Sequence, residues 1–145
     1  MMKISTKGRY ALRMMLDLAE HKDDGYISLK DVAERQNISK NYLDQIMMLL
    51  KKSNFLKATR GYQGGYKLAK EPSSYSVGDI LRLTEGELSP VPCLENEEEC
   101  ERSIDCMAFS VWKGLEDVML KYLDNLTLQE IIEQHKGNEG SNFVI

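Results

Sequence analysis

Long apolar stretches are missing from this chain of 145 residues. No run approaches the ~20 residues that a membrane-spanning helix needs. The opening Met-Met-Lys-Ile-Ser-Thr-Lys-Gly-Arg-Tyr lacks the uncharged apolar core of a secretory signal. Both absences point to a soluble protein of the cytoplasm with no membrane partner. Cysteine is scarce: three residues, an odd number, which in a reducing compartment read as thiols or metal ligands rather than as a disulfide framework. There is no internal repeat and no collagen-like or low-complexity stretch. With 42% hydrophobic and 29% charged residues, the chain is not a disordered one. Its length fits one domain and leaves little room for a second. A catalytic constellation is also missing: there is no acid/base pair in a plausible pocket, no phosphate loop and no nucleophile with a histidine partner. An enzyme is not expected.

What is present is a division of charge. Residues 1–70 carry 14 Lys and Arg against 7 Asp and Glu, whereas residues 71–145 carry 5 against 16; the net −4 conceals a basic front and an acidic rear. Such asymmetry fits a front half that binds a polyanion.

The apolar spacing predicts mainly helix. Tyr10, Ala11, Met14, Met15, Leu18 and Ala19 fall on one face of a first helix from about Ser5 to His21. Ser28 with Asp31 predicts the start of a short second helix, and Asn37 its end, with Ile38 buried in the turn. Ser39 caps a third helix carrying Tyr42, Leu43, Ile46, Met47, Leu49 and Leu50, with Lys51 and Lys52 at its end. Two helices joined by about three residues have the proportions of a helix-turn-helix. The segments Phe55–Thr59 and Tyr66–Ala69 enclose Arg60-Gly-Tyr-Gln-Gly-Gly65 and predict a two-stranded hairpin, or wing. Ser76 with Asp79 opens a fourth helix. Pro90-Val-Pro92 predicts a stiff extended linker, and residues Cys93 to Asp105 an acidic loop. A long helix from about Cys106 to Leu123 shows Ala108, Trp112, Leu115, Met119 and Tyr122 at alternating four- and three-residue steps, with Val111 and Val118 beside them. That spacing suits a helix–helix seam. Thr127 with Glu130 predicts a last short helix ending near His135, and the tail from Gly137 is expected to be mobile.

Two sets of residues carry chemistry. A recognition helix enters the major groove and presents polar side chains near its N-terminus to base edges. Here those are Lys40, Asn41, Asp44 and Gln45, of which Asn and Gln can pair with adenine and Asp can accept from cytosine. Arg60, among the wing glycines, suits the negative potential of a narrow minor groove. The second set is Cys93, Cys100 and Cys106. Three soft thiolates in one loop suit an iron–sulfur cluster or zinc, although the spacing is not the paired Cys-x2-Cys of common zinc sites. Three ordinary thiols are the plain alternative. The run Glu97–Glu99 reads as a solvated face, and His21 and His135 as surface residues.

The stretch Met2 to Ala11, Tyr42-Leu-Asp-Gln45, Arg60-Gly-Tyr-Gln-Gly-Gly-Tyr66, the helix start Ser76-Val-Gly-Asp-Ile80 and the three-cysteine loop before a Trp-containing helix occur in matching order. Together they resemble the bacterial iron–sulfur cluster regulators of the IscR type over about residues 2–135. The resemblance implies a homodimeric winged-helix regulator in which Asn41, Asp44, Gln45 and Arg60 contact DNA. It also implies that Cys93, Cys100 and Cys106 ligate a cluster of the 2Fe-2S type. Members with these cysteines bind a cluster directly, while members without them sense through a partner protein. One departure stands out: the cluster-assembly regulators place a fourth ligand, a His, three residues after the third Cys, where this chain has Phe109. Nitric-oxide-sensing relatives use an acidic residue near the start of the first helix, where this chain has Arg9. Glu95, Glu101, Asp105, Ser110 or an exogenous ligand are the alternatives for the fourth position.

The expectation is therefore a mainly α chain: a winged helix-turn-helix region over residues 1–88, with a two-stranded β wing, and a cysteine-bearing loop over 89–105. A long dimerisation helix and a short terminal helix follow over 106–136, then a flexible tail over 137–145. The DNA-contacting set is Lys7, Arg9, Lys40, Asn41, Tyr42, Asp44, Gln45 and Arg60, acting on a pseudo-palindromic double-stranded operator. The function expected is repression of iron–sulfur cluster or sulfur metabolism genes, under control of the cluster. Two rivals stand beside it: a thiol-redox or nitric-oxide-sensing repressor of the same family, and a winged helix that binds a metabolic enzyme.

Overall fold

The computed structural model describes residues 3–62, 64–95 and 105–142. Among these described residues, seven α-helices and one hairpin follow in the order α1 (Thr6–Glu20), α2 (Leu29–Gln36), α3 (Lys40–Lys52), β1 (Leu56–Thr59), β2 (Gly65–Leu68), α4 (Val77–Glu85), α5 (Pro92–Glu95), α6 (Phe109–Asn125) and α7 (Leu128–Asn142). Among the described residues no helix is long and apolar enough to cross a membrane.

Local chemistry sets most of the boundaries. The Ser5 hydroxyl accepts from Gly8 N at 3.0 Å, and those of Ser28 and Ser39 accept from Asp31 N and Tyr42 N at 3.1 and 3.3 Å. Each satisfies a donor that the first helical turn leaves open. At α4 the capping box is complete: Ser76 Oγ takes Asp79 N, while the Asp79 carboxylate takes Ser76 N. Asn37 ends α2 in the left-handed region at φ 54°, a conformation asparagine tolerates. Ile38 is buried directly after it, so the turn between α2 and α3 is pinned to the core.

The main core lies where α1, α2, α3, the hairpin, α4 and α7 converge. Ala11, Met14, Met15, Val32, Leu43, Ile46, Met47, Leu50, Ile80 and Leu128 are fully buried there. A smaller cluster of Val77, Leu81 and Leu88 receives Leu12, Leu120, Leu123 and Leu126, and it joins α6 to the rest. The wing is antiparallel, with Leu56 opposite Leu68 and Thr59 opposite Gly65. Ile27 adds a single bridge to its far side: Ile27 N donates to Tyr66 O and Tyr66 N to Ile27 O, both at 2.8 Å. That approach requires Gly65, since a Cβ there would collide with the Ile27 carbonyl.

Four expectations are corrected. Pro92 opens the single helical turn Pro92–Glu95 instead of continuing an extended linker, because proline's fixed φ is already helical at a first position. Cys93 therefore sits on that turn, not in a loop. The long helix begins at Phe109, three residues later than expected, since Met107 and Ala108 form the turn before it. Finally α7 runs to Asn142, through the region expected to be a flexible tail; Gly137 and Gly140 weaken a helix without breaking it as proline does.

Candidate nucleic-acid interface and cysteine loop

The orientation of the helix-turn-helix depends on a buried acid. Asp17, 4% exposed on the inner face of α1, accepts from both nitrogens of the Arg35 fork at 3.0 and 2.7 Å and from Gln36 Nε2 at 2.9 Å. Two residues at the end of α2 are thus fixed to the middle of α1. The Asp17 carboxylate holds the Arg35 guanidinium above its ordinary pKa, against the opposing effect of burial. Arg13, one turn earlier, donates to the Gln36 side chain and to its carbonyl oxygen. Arg13 also lies over the Tyr10 ring, 5.2 Å from its centre. The residue before the α2–α3 turn is therefore held from two sides.

With α2 fixed, α3 presents Lys40, Asn41, Asp44 and Gln45 to solvent on its first two turns. Asn41, Asp44 and Gln45 stand at i, i+3 and i+4, so they share one face. Tyr42 lies elsewhere: it is half-buried, and its ring meets Tyr10 edge-on at 5.6 Å, which ties α3 to α1. Arg60 is exposed where β1 runs out, followed by Gly61 at φ 107°, which an L side chain seldom adopts. Burial, with the charge of Asp44 adding to it, pushes the Tyr66 phenol up. Lys7 and Arg9 are exposed on the first turn of α1, and Arg9 donates to Thr6 Oγ1 at 3.0 Å. The assigned cations and polar groups thus come from three elements: the start of α1, the start of α3 and the wing.

The cysteines lie at the other end of the sequence. Cys93, on α5, and Cys106, before α6, are both half-buried free thiols. Cys100 lies outside the described residues, as do Glu101 and the run Glu97–Glu99. Two free soft thiols are chemically suited to iron, and Phe109 offers nothing to ligate with. Among the described residues, no three His, Cys, Asp or Glu side chains come close enough to share a metal ion.

The outer side of α6 is apolar. Val111, Trp112, Leu115, Val118 and Tyr122 are all exposed, Val118 to 68%. On the opposite side, Arg82 of α4 grips Asp124 through two hydrogen bonds of 2.7 and 2.8 Å. The Arg82 fork holds the Asp124 carboxyl below the usual range.

The sequence reading did not find Asp17, Arg35 or Glu116, the one buried residue of α6. One signal marks both acids: a carboxylate set within an apolar helical stripe, among Met14, Leu18 and Ala11 for Asp17, and between Leu115 and Leu120 for Glu116.

Comparison with known proteins places this geometry. The Rrf2 family, described as an iron-dependent transcriptional regulator, matches residues 4–134. The HTH-type transcriptional regulator CymR of Bacillus subtilis (strain 168) is 39% identical over 138 residues, which span 95% of each chain. The HTH-type transcriptional regulator IscR of Yersinia enterocolitica is 35% identical over 131 residues, 90% of this chain and 79% of its own. Among solved structures, CymR (YrzC), the global cysteine regulator of B. subtilis, matches with a TM-score of 0.78 at 40% identity, covering 92% of this chain and 98% of that one. These relatives are transcriptional regulators, not enzymes, and the winged helix here is accordingly one that binds DNA.

Proposed function

Because this chain belongs to the Rrf2 family of transcriptional regulators, we propose that it is a homodimeric repressor of iron–sulfur cluster or sulfur metabolism genes, controlled by an iron–sulfur cluster. The observation that carries the DNA-reading part is the exposed face of α3 beside an exposed wing Arg60, on helices whose angle the bond between buried Asp17 and Arg35 fixes. Lys40, Asn41, Asp44 and Gln45 read base edges in the major groove, while Arg60 enters the minor groove and Lys7 and Arg9 hold phosphates. The apolar outer side of α6 is the dimer seam. Two copies related by a two-fold axis present two α3 helices to half-sites one helical turn apart, ~34 Å on B-DNA.

Cys93, Cys100 and Cys106 would hold the cluster, of the 2Fe-2S type, with the fourth position left to Glu95, Glu101, Asp105, Ser110 or a ligand from outside the chain. When bound, the cluster supplies a redox- and iron-sensitive link across the segment that joins α4 to α6. The protein's part is to hold Cys93 on a short turn packed beside α6. The test is an absorption spectrum with iron and sulfide assays on anaerobically prepared protein. Visible absorption and stoichiometric iron are expected, with most of the iron lost in each of Cys93→Ser, Cys100→Ser and Cys106→Ser, because losing one thiolate leaves too few to hold the irons. Iron-free protein, or full iron retention in all three variants, would overturn the cluster.

A second reading has its own support. Cys93 and Cys106 are free thiols, and a 39%-identical relative is CymR, solved as a global cysteine regulator. In that reading the thiols themselves are oxidised and no iron is needed. Operator affinity that responds to a mild thiol oxidant in iron-free protein would favour it.

A further inference from the structure

A cleft of about 550 Å³ opens between the C-terminus of α4, the residues that follow it, α5 and α6. Its walls include Leu88, Leu94 and Leu120, and Glu116 of α6 lines it. Glu116 is only 9% exposed, and its Oε2 is buried with no hydrogen-bond partner among the described residues. A buried carboxylate oxygen without a donor is costly, and native proteins leave few of them unexplained.

Among the described residues the charges around the cleft do not cancel. The other Glu116 oxygen takes Lys113 Nζ at 3.2 Å, but the same ammonium also serves Asp117 at 3.3 Å, so one cation is shared between two acids. Arg82, the basic residue of the lining, is committed to Asp124 by both of its terminal nitrogens. Glu87, also in the lining, adds a second negative charge. The cleft thus combines an apolar floor with an unmet acceptor and a surplus of negative charge. Its complement is a hydrogen-bond donor carrying positive charge on a short hydrocarbon body.

We propose that this cleft is a binding site for a small primary amine, whose ammonium donates to Glu116 while its hydrocarbon part lies on Leu88, Leu94 and Leu120. The torsion at the end of a glutamate side chain is soft, and a turn about it brings Oε2 to the cleft surface. The amine then meets the acceptor that Lys113 leaves open. Leu94 follows Cys93 on α5, so an occupied cleft also fixes the Cys93 turn against α6. The site depends neither on the cluster nor on the mode of DNA binding.

The test is a methyl-detected NMR titration of the full chain with isoamylamine, and with isoamyl alcohol as its uncharged match in shape. Saturable shifts confined to the methyls of Leu88, Leu94 and Leu120 are expected, with the alcohol weaker by about tenfold or more, the margin a hydrogen bond to a charged group commonly gives. Glu116→Gln should reduce amine binding to the level of the alcohol. Leu94→Trp, which fills the cleft from its rim, should abolish both and decides the matter should Glu116→Gln fail to fold. Equal binding of amine and alcohol, unchanged amine binding in Glu116→Gln, or shifts spread over the exposed side of α6 would overturn the proposal.

Discussion

Helices α1 and α6 carry apolar residues at the same three- and four-residue spacing, yet α1 buries seven of its fifteen residues and α6 buries only Glu116 of its seventeen. The stripe on α1 meets α2, α4 and α7 and becomes the centre of the core. Among the described residues the stripe on α6 stays exposed, while the half-buried Leu120 and Leu123, on its other side, reach the small cluster around Leu81. Periodicity therefore identifies a face that wants covering without saying which molecule covers it. Helix α1 is covered by other elements of the chain, α4 and α7 among them, whereas α6 leaves an apolar side open among the described residues. The exposed stripe belongs to the acidic half of the sequence, and the α3 face and the wing to the basic half.

The comparison can be broken most forcefully at Leu115. Leu115→Glu places a charge in the middle of the open stripe; it should give a monomer by sedimentation at micromolar concentration and lower operator affinity by about a hundredfold or more, since one recognition helix then binds without its twin. Next in size are matched truncations on the two helices. Leu18→Ala, in the α1 core, should cost about 2–5 kcal/mol in denaturant unfolding. Val118→Ala, on the open side of α6, should cost under about 0.5 kcal/mol in a protein kept monomeric by Leu115→Glu. Equal losses at the two positions would erase the distinction.

Smaller effects sharpen the division within the DNA-facing half. Gln45→Ala should cost about 1–3 kcal/mol on the operator and leave the salt slope almost unchanged. Arg60→Ala should weaken binding to scrambled duplexes as well and flatten the slope by about one unit. An equal loss for Gln45→Ala on operator and scrambled duplex would show that this residue does not read sequence.

The smallest expected effect lies at the joint between front and rear. Arg82 lowers the pKa of Asp124, so the folded state binds the carboxyl proton less readily than the unfolded one. The contribution is complete above the ordinary aspartate range, near ~3.9, and is lost as pH falls through the depressed folded value. Both side chains are about two-fifths exposed, so screening keeps the effect small. In acid titrations followed by urea unfolding, the difference between the wild type and Asp124→Asn should be constant from neutral pH to about 4 and shrink only below it. A difference that grows in acid would reverse the assignment.

Elements governed by neighbours in sequence were legible before the structure. Ser28, Ser39 and Ser76 start helices through bonds to residues three positions on, and Gly61 marks the wing turn because its positive φ suits glycine. What depends on distant partners was not. Asp17 meets Arg35 across eighteen positions, and nothing local announces that a carboxylate in an apolar stripe has found a guanidinium. Tyr42 combines an exposed neighbourhood on α3 with a ring turned onto Tyr10, and its place in the sequence gives no hint of that contact. Pro92 and the end of α7 show a different limit: proline and glycine bias a backbone, and packing around them decides whether a helix starts or continues. Of the candidate site, the exposed polar start of α3 and the exposed Arg60 could be named from the sequence because helix caps and wing glycines fix their place in the fold. The Glu116 cleft could not, because α4, α5 and α6 assemble it jointly.

The central claim is that the front half reads DNA as a pair of identical halves brought together by α6. Its most direct test is selection of duplexes from a random library by the wild-type chain, followed by sequencing of the bound pool. The account predicts an enriched inverted repeat whose half-site centres lie about one helical turn apart, ~34 Å, and its loss with Leu115→Glu. Enrichment of a single unrepeated half-site, or of no sequence at all, would contradict it.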